Sequence, residues 1–344
     1  MPAITTDSLV LVTGASGYLG AHVAQQALER GFRVRGTVRS TEKGDFLTKL
    51  FKDDPKWSYA IVEDIQQEGA FNEAVKGVDA ILHTASPFHF NGKHPDDLIK
   101  PAVQGTTGVL KSAIKESTVK RIVITASFAS IFNPEPLSHT FTEKDWNTAS
   151  PAEVERDGAQ ANPRAAYRAS KTLAERAAWK FVEDEKPQFD LAVVNPTLII
   201  GPVIHEVPSA DKLNTSVNNF YKFLVGKSSA DDAQASFAGY VDVRDVAALH
   251  LDALVTPEAG NERFLASYTE SSWQPLLDLF FSTAPESLLA AFPNAEKGKP
   301  GNPAPEANKI DSSKAKKVLR WKPTDPKDTM LDMAASLAEY QKKW

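Results

Sequence analysis

Residues 8–20 read SLVLVTGASGYLG, a short apolar run that leads directly into a glycine-rich turn. The run Ser8–Val12 predicts a buried parallel strand, because it is short, apolar and rich in branched side chains. After the turn, apolar residues recur at intervals of three and four from Leu19 to Leu28, which predicts a helix that Gly31 ends. Glycines that open a helix directly after a strand are typical of a Rossmann dinucleotide site.

Each glycine of this turn has an expected task. Gly14 allows the tight turn, Gly17 lets a pyrophosphate approach the backbone, and Gly20 lets the helix pack closely on the sheet. A turn without a ligand has the same pattern, but its place between a strand and a helix favours a cofactor site. We therefore expect cofactor contacts from Gly14, Ser16, Gly17, Tyr18, Leu19 and Gly20.

The end of the second predicted strand indicates which dinucleotide binds. An NAD enzyme carries an acidic residue there, about 20 residues beyond the glycines, to hold the ribose 2′-hydroxyl. This chain has Val38 at that place, followed by Arg39 and, at the start of the next helix, Lys43. Two cations attract a 2′-phosphate, which a carboxylate would repel, so we expect NADPH rather than NADH. Two solvated surface cations are the alternative.

Size and composition limit the class of protein. The 344 residues, 42% of them hydrophobic, suit one large α/β domain with a smaller lobe, and a net charge of −5 gives no basic surface for nucleic acid. The chain has no cysteine, and its seven histidines show no metal-ligand spacing, so we expect no metal. Without a signal sequence or an apolar run of membrane-spanning length, we expect a cytoplasmic enzyme, monomeric or homodimeric, that acts on a small molecule.

Alternation along the chain predicts a doubly wound parallel (Rossmann) sheet of class α/β. Right-handed crossovers bring the carboxyl ends of its central strands to one edge, where the site should lie. After Ser8–Val12, the predicted strands are 32–39, 58–62, 79–84, 121–125 and 189–194. The predicted helices between them are 43–51, 71–76, 96–116 and 166–184.

The rhythm changes after residue 195, where Gly201-Pro202 and Pro208 interrupt the chain. We expect residues 1–195 to form the NADP-binding domain, rejoined by 239–255, which return to a strand-then-helix pattern. The segments 196–238 and 256–344 would form a smaller C-terminal substrate-binding lobe. In the last predicted helix, 328–343, apolar residues at helical spacing indicate packing rather than cofactor contacts.

A second motif supplies the chemistry. Tyr167 and Lys171 lie four residues apart, which places them on one face of the predicted helix 166–184. A free tyrosine has a pKa of about 10, and a neighbouring ammonium would lower it and so favour proton donation near neutral pH. Ser127 follows the fifth strand and could hold a substrate oxygen, with Ser130 as a rival for this role. We expect Tyr167 as general acid and Lys171 as tuner of its pKa and anchor of the ribose, with hydride from NADPH.

Together these motifs resemble the extended short-chain dehydrogenases/reductases. The resemblance covers nearly the whole chain and rests on residues 13–20, Ser127, Tyr167-x-x-x-Lys171, 195–202, 240–247 and 311–323. Residues 37–40 with Lys43, 84–87, 101–105, 167–171 and 213–216 are most similar to fungal aldehyde and ketone reductases of the dihydroflavonol-reductase-like group. The resemblance implies reduction of aldehydes, ketones and ketoesters to alcohols by NADPH. It also implies cofactor contacts from Asp64, Ile65, Thr84, Ala85, Ser86, Tyr167, Lys171, Pro196 and Thr197.

Two other functions remain open at this point. Sugar-nucleotide epimerases and dehydratases of the same superfamily usually carry an acid where Val38 stands and an Asn where Ala102 stands. The missing Asn also leaves open whether ordered water replaces its proton relay. A non-catalytic NADP sensor is the third reading, and it would have no need of Ser127, Tyr167 and Lys171 together.

Aromatic residues follow several of the predicted strands. Such a lining suits a hydrophobic carbonyl compound better than a charged sugar nucleotide, although each ring taken singly is as readily a core residue. The expected substrate wall consists of Phe88, Phe90, Phe128, Phe132 and Phe237.

Overall fold

The computed structural model describes residues 4–86 and 94–344. The strands are β1 (Leu9–Thr13), β2 (Arg33–Val38), β3 (Trp57–Ile61), β4 (Ala80–His83), β5 (Arg121–Thr125), β6 (Thr140–Phe141), β7 (Asp190–Pro196), β8 (Leu198–Ile200), β9 (Ser236–Asp242), β10 (Glu262–Ala266), β11 (Thr269–Ser272) and β12 (Lys309–Ile310). The helices are α1 (Tyr18–Glu29), α2 (Thr41–Leu50), α3 (Asp96–Ala113), α4 (Ala149–Asp157), α5 (Pro163–Glu185), α6 (Thr215–Leu224), α7 (Val243–Val255), α8 (Trp273–Thr283), α9 (Glu286–Ala290), α10 (Ser313–Val318) and α11 (Pro326–Gln341).

Seven strands form one sheet in the order β10-β7-β5-β4-β1-β2-β3. Every neighbouring pair in it is parallel. The chain runs outward from β1 to β3 and then returns to β4 on the other side of β1, so the predicted doubly wound Rossmann sheet is confirmed. Val10 and Val12 face the core beneath α1 and α7, whereas Leu11 faces the core beneath α3 and α5.

A second, three-stranded sheet in the order β11-β9-β8 packs with α6, α8 and α11 around its own apolar core. Of the segment expected to rejoin the nucleotide domain, the strand β9 therefore lies in this small sheet, and the helix α7 packs on α1 beside the large one. The large sheet also takes in β10, from beyond residue 256. The division into two lobes at the predicted boundaries stays a prediction.

The prediction of a helix at 71–76 is wrong. These residues form consecutive turns between Gly69 and Gly77, which both have positive φ, 73° and 69°. A left-handed residue ends helical hydrogen bonding, so these two glycines interrupt the chain on either side of residues 71–76. The apolar residues that suggested a helix are buried all the same, with Phe71 fully enclosed. Helix α4 had no counterpart among the predicted elements.

The last helix has the predicted role. Met330, Met333 and Leu337 of α11 are fully buried in the core of the small lobe. Across residues 4–86 and 94–344, none of the helices combines the length and the apolar composition that crossing a bilayer would take.

The turn between β1 and α1 determines how closely helix and sheet approach. Gly14 has a φ of 66°, and a Cβ there would lie 2.9 Å from the Cα of Ala85. A Cβ on Gly20 would lie 2.2 Å from the carbonyl oxygen of Gly14. Since backbone atoms cannot give way as a flexible side chain does, only glycine at both positions permits this contact.

We expect Gly20→Ala to lower the free energy of unfolding by about 1–3 kcal/mol, because the added methyl group pushes α1 away from the turn. Gly108→Ala is the matched control, since a Cβ there would meet its nearest neighbour at an ordinary 3.6 Å. Alanine favours the interior of α3, so this variant should gain up to about 1 kcal/mol. Urea denaturation of both proteins measures the difference, and equal stabilities would contradict the proposed crowding.

Candidate active site

A cleft of about 330 Å³ lies at the carboxyl edge of the large sheet. The ends of β1, β2 and β4, with the loop after β3, form its walls. Gly14, Ser16, Gly17, Thr37, Val38, Arg39, Lys43, Val62, Ile65, Thr84, Ala85 and Ser86 line it. Nine of these residues belong to the predicted cofactor set, and the structure brings them together from four separate stretches of the chain.

The features of this cleft fit a dinucleotide. Gly17 occupies the N-cap position of α1, and no side chain caps the helix there, so the positive end of the helix faces the glycine turn. Thr37 fixes the turn, because the amide of Gly14 donates to its hydroxyl and the amide of Ala15 to its carbonyl, both at 3.0 Å. An anionic pyrophosphate can therefore approach backbone amides in a preformed turn.

The two cations at the end of β2 differ in their surroundings. Lys43 donates to Glu206 at 2.7 Å, and each side chain is a little over a third exposed. Arg39 is exposed and makes no hydrogen bond or ion pair with the residues that the structure describes. Val38, at the position where an acid would select NAD, is 2% exposed. Arg39 is thus the cation that is available to a 2′-phosphate without breaking another contact.

Several predicted cofactor residues lie outside the cleft. The hydroxyl of Tyr18 donates to the carbonyl of Gly201 at 2.9 Å, and its ring packs against the small lobe. Asp64 is exposed and accepts from the amide of Gln66. Leu19, Gly20, Pro196 and Thr197 are likewise absent from the lining of this cleft. Thr37 and Val62 also line the cleft but were not anticipated, and Val38, which was noted only for the acid it replaces, lines it as well.

A second cavity, of about 510 Å³, contains the predicted proton donor. Ser127 and Tyr167 both line it, and the Ser127 hydroxyl is hydrogen-bonded to the Tyr167 phenol. Ser127 also accepts from the amide of Ala129 at 3.1 Å, which fixes its rotamer. Ser130 is fully buried and does not reach the cavity, so the geometry favours Ser127 over its rival.

Lys171 lies between the two cavities. Its ammonium donates to the hydroxyl of Ser86 in the cofactor cleft at 2.8 Å, and it lies 5.9 Å from the ring centre of Tyr167. One turn of α5 thus carries Tyr167 to the second cavity and Lys171 to Ser86 in the wall of the first. The predicted cofactor residue Thr197 lines the second cavity instead of the first.

Burial controls the protonation of both groups. It raises the pKa of Tyr167 above its ordinary value, and the hydrogen bond from Ser127 opposes this rise. The pKa of Tyr167 is thus shifted upward, opposite to the lowering expected from Lys171, whose ammonium donates to Ser86. Burial also lowers the pKa of Lys171 to about 8, because the charged form loses its water.

A buried polar network fixes the helix that carries Tyr167 and Lys171. Glu175, further along α5, accepts from Arg263 of β10 at 2.6 Å and from Asn195 of β7 at 2.8 Å. Asn195 also donates to the carbonyl of Ser127 at 3.3 Å. The Arg263 guanidinium lies 3.9 Å over the ring of Trp146. Sequence reasoning missed this network, because its members are far apart in the chain and form no motif.

Aromatic side chains form much of the wall of the second cavity. Phe128, Phe132 and Phe237 line it, as predicted, while Phe88 and Phe90 lie outside the described residues. Phe128 packs edge-on against Phe132 and against Phe141. Among the residues of this wall that were not anticipated are Leu137, Phe141, Arg168 and Leu198.

A Rossmann sheet with a serine, a tyrosine and a lysine at its carboxyl edge is the architecture of the extended short-chain dehydrogenases/reductases. Residues 10–266 match the profile of the NAD dependent epimerase/dehydratase family, and the chain belongs to this family. The family resemblance predicted from the sequence is confirmed.

Named relatives align over most of the chain. It is 35% identical to an NADPH-dependent methylglyoxal reductase of Saccharomyces cerevisiae, with 96% of this chain and 98% of that protein aligned. It is also 35% identical to aldehyde reductase 2 of Sporidiobolus salmonicolor, over 83% and 84% of the two chains. The crystal structure of yeast methylglyoxal/isovaleraldehyde reductase with NADPH superposes with a TM-score of 0.85 at 32% identity, covering 98% of this chain and 100% of that one.

We expect Glu175→Gln to lower the free energy of unfolding by about 3–5 kcal/mol, because Arg263 would remain as a buried cation without a counter-charge. Glu73→Gln is the matched control, since its ion pair with Lys76 lies at the surface, with the two side chains 82% and 64% exposed. Surface pairs contribute about 0–1 kcal/mol. Urea denaturation measures both, and a loss for Glu175→Gln no larger than the control's would contradict the role of the network.

We expect kcat/KM for NADPH to fall as the pH rises through about 8, since this ratio reports groups of the free enzyme and Lys171 loses its charge there. Below that pH the ammonium is present and can bind ribose hydroxyls, whereas above it the neutral amine is a weaker donor. The measurement is a pH profile from about 6 to 10. A ratio that stays constant across this range would contradict the assigned role of Lys171.

Proposed function

We propose that the protein reduces aldehydes, ketones and ketoesters to alcohols with NADPH, and that Tyr167 donates the proton. The observation that carries the proposal is the contact of Ser127 with Tyr167 in an aromatic cavity, next to a lysine that reaches into the nucleotide cleft. Two relatives that align over 96% and 83% of this chain are named NADPH-dependent methylglyoxal reductase and aldehyde reductase. These names agree with the reaction predicted from the sequence.

The bound cofactor would supply the hydride, and the residues of the chain would do the rest. The hydroxyls of Ser127 and Tyr167 converge on one place in the cavity wall, so a carbonyl oxygen can accept a hydrogen bond from each. These bonds orient the carbonyl and polarise it before the hydride arrives. As negative charge develops on the oxygen, the Tyr167 phenol transfers its proton to it. General acid catalysis of this kind contributes about 10²–10⁴ in rate.

Burial of Tyr167 favours the protonated phenol until negative charge develops on the substrate oxygen. The raised pKa keeps the Tyr167 phenol protonated in the resting site. Once the proton has left, the phenolate is stabilised by the attraction of the Lys171 ammonium one turn away on α5. Lys171 thus acts mainly on the phenolate after transfer, and less on the resting phenol than its position in the sequence implied.

The other two readings have less support. A sugar nucleotide is a large polar substrate, whereas four phenylalanines and two leucines form much of the wall of this cavity. Val38 and Ala102 are both buried, at the two positions where epimerases usually carry polar side chains. A non-catalytic sensor gives no reason for the Ser127–Tyr167 contact. The cytoplasmic location and the oligomeric state stay predictions.

A substrate panel tests the proposed reaction. The loss of NADPH absorbance would be followed with small ketones, aldehydes, ketoesters and UDP-sugars, and chromatography would identify the products. The proposal predicts NADPH oxidation with carbonyl compounds and none with UDP-sugars. Interconversion of a UDP-sugar without net oxidation of NADPH would support the epimerase, and no turnover of any compound despite NADPH binding would support the sensor.

We expect Arg39→Ala to raise KM for NADPH about ten- to a hundredfold and to leave NADH use nearly unchanged, because only the contact with the 2′-phosphate is lost. A charge-assisted hydrogen bond contributes about 1.5–3 kcal/mol. Arg33→Ala is the matched control, since this exposed cation begins the same strand and donates to the carbonyl of Asp7 instead. Steady-state kinetics with both cofactors measures the effect, and an equal loss with NADH and NADPH would contradict the assignment.

A further inference from the structure

A guanidinium lies in the wall of the carbonyl cavity, and the proposed reaction has no use for it. Arg168 follows Tyr167 directly on α5, and both residues line the cavity. Consecutive residues of a helix point about 100° apart around its axis, so the two side chains approach the same space from adjoining walls. The cationic centre of Arg168 lies 4.3 Å over the ring of Phe132, another residue of this wall.

Arg168 has no acidic partner in the described part of the chain. It makes no ion pair and no side-chain hydrogen bond with the residues that the structure describes, although it is partly buried. Other buried or partly buried arginines do have partners: Arg121 pairs with Asp190, Arg244 with Asp242 and Arg263 with Glu175. Loss of water lowers the pKa of Arg168, and the nearby charge of Arg164 adds to this effect.

Two carboxylates lie in the neighbourhood, and neither neutralises Arg168. Glu153 of α4 attracts it only at a distance and accepts a hydrogen bond from the amide of Asn162 at 3.1 Å. Glu306 lines the same cavity but is exposed, so water screens its charge. A partly desolvated cation without a counter-ion is costly, and an anionic ligand would remove that cost.

We propose that Arg168 binds the carboxylate of the substrate, and that the preferred substrates are therefore oxo acids: a carbonyl group and a carboxylate on an apolar skeleton. The inference rests on the proposed carbonyl reduction. The carbonyl oxygen occupies the position between Ser127 and Tyr167, the skeleton lies against the phenylalanines, and the carboxylate meets the guanidinium.

The stacking on Phe132 suits this task. A ring under the flat face of a guanidinium holds its plane and leaves the N–H groups at the edge free to bind. Two parallel hydrogen bonds from one guanidinium to a carboxylate then fix the direction in which the carbonyl enters. Because Tyr167 and Arg168 are neighbours in one rigid helix, the spacing between their two binding points is fixed as well.

A pair of substrates that differ only in charge tests the inference. 3-Benzoylpropanoate and its methyl ester share the ketone and the aromatic skeleton, and only the acid carries a carboxylate. The wild-type protein should show a higher kcat/KM for the acid. In Arg168→Met the ratio of acid to ester should fall about ten- to a hundredfold, mainly through KM, since a charged hydrogen bond is lost. Arg168→Lys should retain part of the preference for the acid, because lysine keeps the positive charge but cannot form two parallel hydrogen bonds.

Arg164→Met is the matched control. This cation lies one turn earlier on α5, is exposed and does not line the cavity, so the ratio of acid to ester should stay at the wild-type value. A binding measurement adds a readout that needs no turnover. The affinity for 4-phenylbutanoate, which carries the carboxylate but no ketone, should fall by a similar factor in Arg168→Met and remain unchanged in Arg164→Met.

The outcomes separate this inference from the proposed reaction. If the ester is reduced but the acid-to-ester ratio and the affinity for 4-phenylbutanoate are the same in wild type and Arg168→Met, the inference is overturned and the reductase stands. If neither ketone is reduced while 4-phenylbutanoate binds through Arg168, the carboxylate site stands and the reductase fails. If 4-phenylbutanoate does not bind and the acid is not preferred, the carboxylate site is overturned.

Discussion

The nucleotide half of the site depends on one close approach, between the backbone of α1 at Gly20 and the carbonyl of Gly14. There is no room for a side chain at this contact, so the helix begins almost on top of the strand end. The same turn leaves no room for a side chain between Gly14 and Ala85, which brings the loop after β4 against the loop after β1. Thr37 ties β2 to the turn through two hydrogen bonds. Three strand ends therefore converge on an uncapped helix N-terminus, and the cleft for an anionic cofactor is a consequence of their packing.

The catalytic half depends on burial. Helix α5 is held by the Glu175–Arg263 pair and by Asn195, which also holds the backbone of Ser127. The helix carries two ionisable side chains into a place with little water, and this shifts both pKa values in the direction of the neutral form. Hydrogen bonds and charges act more strongly in such surroundings than in water. The main contribution of the fold to proton transfer is therefore the correct placement of Tyr167, Lys171 and Ser127.

Local sequence patterns were sufficient to predict the strands of the large sheet and the positions of the motifs. Strand β5 has the predicted bounds, and β1 to β4 lie within a residue or two of theirs, because each is a short apolar run with turn residues at its ends. Failures came where distant contacts decide. The turns at 71–76 follow from backbone angles at two glycines, β9 pairs with strands of the small lobe, and Lys43 has a partner 163 residues away. Nothing local predicts that Tyr18 donates to Gly201, or that Arg168 forms no ion pair within residues 4–86 and 94–344.

The central claim is that the Tyr167 phenol donates the proton. The most direct measurement combines fluorescence titration of NADPH with single-turnover stopped-flow kinetics of NADPH oxidation, on wild type and Tyr167→Phe. Only one hydroxyl is removed, so the account predicts an unchanged dissociation constant and a rate of hydride transfer lower by about 10²–10⁴. A Tyr167→Phe protein that binds NADPH and oxidises it at nearly the wild-type rate would contradict the mechanism.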